Sequence, residues 1–170
     1  MHKYIVFILL TCCCSFTMWA QKGENRVRLL FAGDIMGHQP QLNAAVTKEG
    51  NYDFSPCYRF VKEYIASADL AIANLEVTLA GEPYSSYPCF SSPDEMALAA
   101  KEAGFDILTT ANNHCMDKGR KGLERTLSVL DSWEIPHLGT YKNSAEREAK
   151  YPLFVEKNGV KLAFLCYTYG

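Results

Sequence analysis

Short apolar stretches alternate with helical patterns along this chain, and that alternation restricts its fold more than any other feature. Predicted strands occupy residues 26–32, 70–73, 105–110 and 135–138. Predicted helices occupy residues 41–46, 55–67, 93–103 and 119–133. A β-α-β-α-β-α-β order predicts a layered α/β domain whose core sheet is mainly parallel. With 48% hydrophobic residues in 170, the chain can bury the core of such a domain.

Local signals indicate where two of the helices begin and end. Ser55 is a favoured N-cap, with Pro56 at the first helical position. Ser92 is expected to cap the next helix, and Gly104 to end it. The helical spacing predicts the following inward-facing side chains: Tyr58, Val61 and Ile65 in one helix, and Leu123, Leu127 and Leu130 in another.

The two ends of the predicted sheet differ in pattern. The first strand ends in an apolar run, which predicts burial on both faces. After a weak helix at 145–149, Asn158-Gly159 lies between the apolar runs 153–156 and 160–165, which predicts a β-hairpin. The sequence stops directly after this apolar strand, so we expect the chain to be the N-terminal portion of a longer domain, incomplete at its C-terminus.

Residues 1–20 are predicted to be an export signal, and residues 21–170 a single domain. His2 and Lys3 precede a largely apolar stretch that is short for a membrane span, and cleavage is expected after Ala20. A lipoprotein anchored through the cysteines at 12–14 is a second interpretation, and an uncleaved membrane anchor is a third. Export would place the protein in the periplasm or at the cell envelope.

Charge and cysteine content limit the classes of partner and cross-link. The net charge of −2 gives no reason to expect nucleic acid as a partner. Cys57, Cys89, Cys115 and Cys166 follow the export signal. Export would permit disulfides between them, but free buried thiols are an equal alternative, and their spacing does not match a zinc motif.

Polar clusters follow three of the predicted strands. The first cluster contains Asp34 and His38, the second Asn74 and Glu76, and the third Asn112, Asn113, His114 and Asp117. Because the carboxyl ends of parallel strands lie along one edge of a sheet, we expect these side chains to converge. Carboxylate, imidazole and amide groups together suit a divalent cation.

Each of these residues also has an ordinary structural interpretation. Asp34 after Gly33 is typical of a turn, and Asp117 is typical of an N-cap. His38 and Glu76 are of the kind often found singly on protein surfaces. Their recurrence after consecutive strands favours a shared site over four separate coincidences.

Three motifs in order resemble the bacterial capsule-synthesis CapA family. They are Gly33-Asp34-Ile35-Met36, Ala73-Asn74-Leu75-Glu76, and Ala111-Asn112-Asn113-His114 with Asp117 and Gly119. That family is associated with poly-γ-glutamate capsule production and is similar to the calcineurin-like metallophosphoesterases. The resemblance runs from about Arg28 to the end and implies a metallophosphoesterase-like fold.

The resemblance also implies roles for individual residues. Asp34 matches a metal-binding Asp, and Glu76 stands where many phosphoesterases carry a metal-bridging Asp. Asn113 matches a metal ligand, and His114 a catalytic group that stabilises the transition state or protonates the leaving group. His38, Asn74, Asn112 and Asp117 are further candidates. His137 is the only histidine after His114, so the histidine ligands that the phosphoesterase pattern takes from its second half are missing. The metal site is therefore expected to be incomplete.

Three functions remain open at this point. The first is an exported capsule biosynthesis protein that, at full length, is a metal-dependent hydrolase using Mn, Fe, Zn or Mg. The second is a non-catalytic component that binds polymer or assembles a capsule synthesis complex. The third is a truncated, inactive fragment. The expected partners are an anionic capsular polymer or membrane synthase components, with membrane association through the N-terminus.

Overall fold

A four-stranded parallel sheet forms the centre of the computed structural model, which describes residues 25–169. In spatial order the strands are β1 (Leu29–Ile35), β2 (Leu70–Leu75), β3 (Ile107–Thr109) and β4 (His137–Leu138). The predicted export signal or anchor at residues 1–20 lies outside the described residues. Within residues 25–169, no helix is both long enough and apolar enough to cross a membrane.

Five helices and a hairpin complete the described part of the chain. The helices are α1 (Gln39–Ala45), α2 (Lys62–Ala66), α3 (Glu95–Ala103), α4 (Gly119–Ser132) and α5 (Ser144–Lys150), with a 3₁₀ turn at Ser55–Tyr58. The antiparallel hairpin consists of β5 (Leu153–Lys157) and β6 (Val160–Phe164). The predicted hairpin is confirmed, and Asn158 and Gly159 both have positive φ angles, 51° and 75°, as a type I′ turn requires.

The sheet separates two apolar layers, and β2 shows this most clearly. Ala71, Ala73 and Leu75 pack with α3 residues in the larger core. Leu70 and Ile72 belong to the smaller core, which the hairpin covers. Because neighbouring side chains of a strand point to opposite faces, β2 is buried on both sides. The predicted layered α/β class with a parallel sheet is confirmed.

Strand β1 differs from the prediction in both its bounds and its burial. It begins at Leu29 rather than 26 and continues through Gly33 and Asp34, with a register shift between Phe31 and Asp34. Residues 31–34 are exposed, and Phe31 is 66% exposed. The prediction of burial on both faces was wrong because no other described segment covers residues 31–34. β1 also lies at the edge of the sheet, where it pairs only with β2 among the described residues.

The predicted helix at 55–67 is divided into the 3₁₀ turn and α2. Ser55 does not act as the cap; its backbone N–H donates to Asp53 Oδ1 at 2.8 Å. Ile65 is buried as predicted, whereas Val61 is 44% exposed. Tyr58 from the 3₁₀ turn packs against the same core that contains Ile65, so the predicted inner face is confirmed for these two side chains although the helix is divided.

The other helix signals are confirmed at some ends and wrong at others. Gly104 ends α3 in the left-handed region with φ 109°, as predicted. Helix α3 begins at Glu95, and the buried Ser92 hydroxyl has no hydrogen-bond partner among the described residues, so Ser92 is not its cap. Leu127 and Leu130 are buried in α4 as predicted.

Four cysteines of the described chain are free thiols. The prediction that they are buried is wrong for Cys57 and Cys89, which are exposed, whereas Cys115 and Cys166 are half-buried. His137 lies in β4, within the strand predicted at 135–138. It is half-buried, with Nδ1 2.8 Å from the carbonyl oxygen of Ile135.

Candidate functional site

The register of the sheet brings the first two polar clusters together. Asp34 on β1 lies beside Asn74 on β2, and Asn74 lies beside Thr109 on β3. The Asn74 amide nitrogen donates to Asp34 Oδ1 and to Glu76 Oε2, each at 2.9 Å. One amide group therefore holds two carboxylates at the carboxyl ends of neighbouring strands.

Asn112 fixes the opposite side of the Asn74 amide. Asn112 Nδ2 donates to Asn74 Oδ1 at 3.1 Å and to the carbonyl oxygen of Leu75 at 2.9 Å. Asn112 Oδ1 accepts the backbone N–H of His114 at 3.0 Å. Because Asn112 is 8% exposed and its polar atoms are already bonded, it connects the strand ends and positions the His114 backbone.

His114 is held by Asp117, three residues further along the chain. His114 Nδ1 lies 2.9 Å from Asp117 Oδ2, and the two side chains are 14% and 10% exposed. The same carboxylate oxygen accepts the backbone N–H of Phe90 at 2.6 Å. Helix α4 begins at Gly119 after Lys118, so the N-cap interpretation of Asp117 was wrong. Its carboxylate orients the imidazole instead.

Phe90 is the residue of this region that sequence reasoning missed. Its buried ring makes edge-to-face contacts with His114, at 4.7 Å between ring centroids, and with His38, at 5.3 Å. His38 itself is exposed and lies just before α1. The available signal was a phenylalanine, the one aromatic residue without a polar group in a loop at 81–92 that is otherwise rich in Ser, Pro and Tyr; such a side chain is expected to anchor the loop by burial.

The Asp34 carboxylate disfavours negative charge on Glu76. Burial, followed by the neighbouring Asp34 carboxylate, raises the pKa of Glu76, while His114 and the Asn74 amide partly offset that rise. A cation close to both carboxylates would remove this repulsion, since opposite charge favours the ionised form of an acid.

The available ligands suit a hard cation that keeps several water ligands. Within the residues that the structure describes, they do not form a site in which protein groups surround the metal. Asp34 and Glu76 are close together, whereas the adjacent candidate Asn113 is exposed and makes no side-chain hydrogen bond within the described chain. Among residues 25–169, no group of three or more His, Cys, Asp or Glu side chains is placed to hold a metal ion. Mg²⁺ is commonly bound by one or two carboxylates plus water. Metal binding by these residues stays a prediction.

Sequence comparison identifies longer relatives of this chain. It is 27% identical over 166 residues to the capsule biosynthesis protein CapA of Bacillus anthracis, covering 88% of this chain and 39% of that protein. It is 25% identical over 182 aligned positions to the PGA biosynthesis protein CapA of Bacillus subtilis, covering 96% of this chain and 44% of that protein. The chain thus spans less than half the length of these curated relatives.

A family model covers nearly all of the described domain. The model described as bacterial capsule synthesis protein PGA_cap matches residues 28–170, which include all three motifs and the hairpin. The predicted resemblance to the CapA family is confirmed. This chain belongs to the bacterial capsule synthesis protein PGA_cap family.

Proposed function

We propose that the cluster at the ends of β1, β2 and β3 is the hydrolytic site of an exported protein of capsular polymer biosynthesis. The observation that carries this proposal is the Asn74 amide, which holds Asp34 and Glu76 together at the ends of β1 and β2. The Asp117-oriented His114 follows the neighbouring strand β3. Two carboxylates beside an oriented imidazole are the groups that metal-assisted hydrolysis requires.

Asp34, Glu76 and Asn113 would hold a divalent cation, which supplies an activated water and neutralises developing negative charge when bound. Within the protein, Asn74 keeps both carboxylates turned to one side. Its orientation is fixed because its amide oxygen is occupied by Asn112 and Thr109. The site therefore does not need to rearrange its carboxylates on binding, which is the condition for electrostatic preorganisation.

His114 is placed to exchange a proton through Nε2. Its Nδ1 faces the Asp117 carboxylate, so Nδ1 carries a hydrogen and Nε2 is the nitrogen left to face a substrate. The edge of the Phe90 ring limits rotation of the imidazole. In the proposed reaction, the doubly protonated imidazole gives its Nε2 proton to the leaving oxygen of a phosphoester or related bond and keeps the Nδ1 proton that faces Asp117.

The proposed substrate follows from the printed names of the relatives, which are proteins of capsule biosynthesis and of PGA biosynthesis. We propose an anionic polymer of the poly-γ-glutamate type, or a precursor of it, handled at the cell envelope with membrane synthase components. The apolar stretch within residues 1–20 supports export.

Metal content and hydrolysis test this proposal on the same samples. The total of bound Mn, Fe, Zn and Mg should be near one ion per chain in the parent protein. This metal should be lost in Asp34→Ala and in Asn113→Ala, and it should remain in the control variant Glu156→Ala on the exposed hairpin. Hydrolysis of a phosphodiester should fall by about 10²- to 10⁴-fold in His114→Ala, as expected for loss of a general acid, and remain in His137→Gln.

Two results would reject the hydrolase. One is a chain that binds no metal although a cooperative thermal transition shows that it is folded. The other is a His114→Ala variant as active as the parent protein. Polymer binding without any turnover would instead support the non-catalytic assembly role.

A further inference from the structure

A cavity of about 340 Å³ lies where the 80–83 loop meets the first turns of α4. Its walls carry three basic side chains, those of Lys118, Lys121 and Arg125, and the acidic side chain of Glu82. None of these residues belongs to the proposed hydrolytic cluster. The excess of basic groups indicates a site for an anion.

The three basic side chains differ in whether they already have hydrogen-bond or ion-pair partners. Arg125 donates to both carboxylate oxygens of Asp94, at 2.7 and 2.9 Å, and also to the carbonyl oxygen of Leu79. Within residues 25–169, Lys118 and Lys121 form no ion pair. Two ammonium groups therefore remain to attract a ligand, while the arginine serves to build the wall.

The wall between the loop and α4 is tightly packed. A Cβ atom at Gly122 would lie 2.5 Å from Lys118 Cβ and 3.4 Å from Ala80 Cβ, so only glycine allows this close approach. Thr126 Oγ1, one turn further along α4, accepts the backbone N–H of Leu79 at 2.8 Å. The loop and helix are thus fixed to one another, which lowers the cost of ordering the cavity on binding.

The cavity is directly linked to the residues that hold His114. Lys118 follows Asp117, and Ser91, which also lines the cavity, follows Phe90. An extended ligand bound along this turn would lie beside both segments. A single small anion would contact only the cavity and not the neighbouring site.

We propose that this cavity binds an anionic group, carboxylate or phosphate, of the molecule handled at the neighbouring site. Lysine ammonium groups act as point charges without the planar fork of arginine, so the cavity recognises charge rather than one anion geometry. A chain with repeated negative groups fits this arrangement better than a neutral polymer. The identity of the ligand as substrate rests on the proposed function; the anion site itself does not.

Binding measured without metal separates this inference from the hydrolase proposal. The full chain is titrated in EDTA and low salt with a fluorescent poly-γ-glutamate oligomer, and anisotropy gives Kd. Lys118→Gln and Lys121→Gln should each weaken binding about fivefold, the upper range for an exposed charge pair, and flatten its salt dependence. Glu82→Gln should tighten binding because it removes the repelling charge.

Arg120→Gln is the matched control. Arg120 lies on the same turn of α4 but pairs with Glu124 at 2.6 Å and does not line the cavity. An equal loss in Arg120→Gln, or no loss in either lysine variant, would overturn the cavity site. So would an oligomer that does not bind the parent protein at all. Lys121→Gln keeps the test valid should Lys118→Gln fail to fold, because Lys121 is exposed.

Inorganic phosphate distinguishes the two sources of the anion. Displacement of the oligomer by millimolar phosphate, with the displacement lost in Lys121→Gln, would assign a phosphate group to the cavity. Oligomer binding that phosphate does not displace would assign it to the carboxylate chain. Either result supports the site and remains valid even when the chain proves to hold no metal.

Discussion

The carboxyl ends of β2 and β3 and the outer edge of β1 belong to one sheet, yet they are completed in opposite ways. Around Asn74, each polar group faces a partner from a neighbouring strand or loop. Along β1, an apolar groove of about 540 Å³ opens beside Phe31, between the strand and side chains such as Tyr64 and Met96. The polar side chains around Asn74 have partners within the described chain, with the exposed Asn113 amide as an exception, whereas the apolar edge is not covered by it.

This difference separates two kinds of information in a sequence. A polar motif specifies its own partners, because hydrogen bonds demand defined donors and acceptors at short distance. An apolar run specifies only that burial is favourable, not which segment provides it. Three substitutions test how far the two regions differ, and they are taken in order of decreasing effect.

The largest loss of stability is expected under the polar cluster. Leu75→Ala should lower the free energy of unfolding by about 2–5 kcal/mol, because Leu75 is 1% exposed and its removal leaves a cavity. Urea denaturation measures this change. Leu165→Ala is the matched control at a 59% exposed leucine and should change stability by less than about 0.5 kcal/mol. Similar losses in both variants would mean that the strand ends are not the better-packed region.

A smaller loss is expected in the hydrogen-bond network itself. Asn112→Ala should cost about 1–3 kcal/mol, because it leaves the Leu75 carbonyl and the His114 N–H without their buried partner. Asn113→Ala, at the exposed neighbouring amide, should change the unfolding free energy by less than about 0.5 kcal/mol. The interpretation of Asn112 as a connector fails when the two alanine variants are equally stable.

The smallest effect is expected on the open edge. Phe31→Ser should leave the unfolding free energy within about 0.5 kcal/mol of the parent value, since the side chain is 66% exposed. It should also reduce self-association in light scattering, more than Phe154→Ser on the exposed hairpin. A destabilisation above about 1 kcal/mol would show that this face is covered in solution and would remove the contrast between the two regions.

The sequence predicted those parts of the fold that depend on local chemistry. The Asn158-Gly159 turn and the Gly104 helix end were found because each requires a positive φ. The meeting of Asp34 with Asn74 was expected from strand order alone. These features need no knowledge of distant contacts beyond the parallel sheet.

The errors lie where the same local sequence serves two purposes. An Asp shortly before a helix can cap it or hold a nearby histidine, and Asp117 does the second. Phe90 contacts His114 although the two residues are 24 positions apart in the sequence, so no short sequence pattern predicts their contact. The exposure of β1 was missed because burial of a strand's faces depends on which segments pack over them, and the strand's own residues do not specify those segments.

The shared oxygen of Asp117 has a consequence for any redesign of this protein. Oδ2 receives both the imidazole of His114 and the backbone N–H of Phe90. The position of the 81–92 loop and the orientation of the imidazole therefore depend on the same carboxylate and change together. A loop transplanted into this position must supply a backbone N–H at residue 90. Proline at that position has no N–H, so even a loop of matching length would no longer be linked to the imidazole through Asp117.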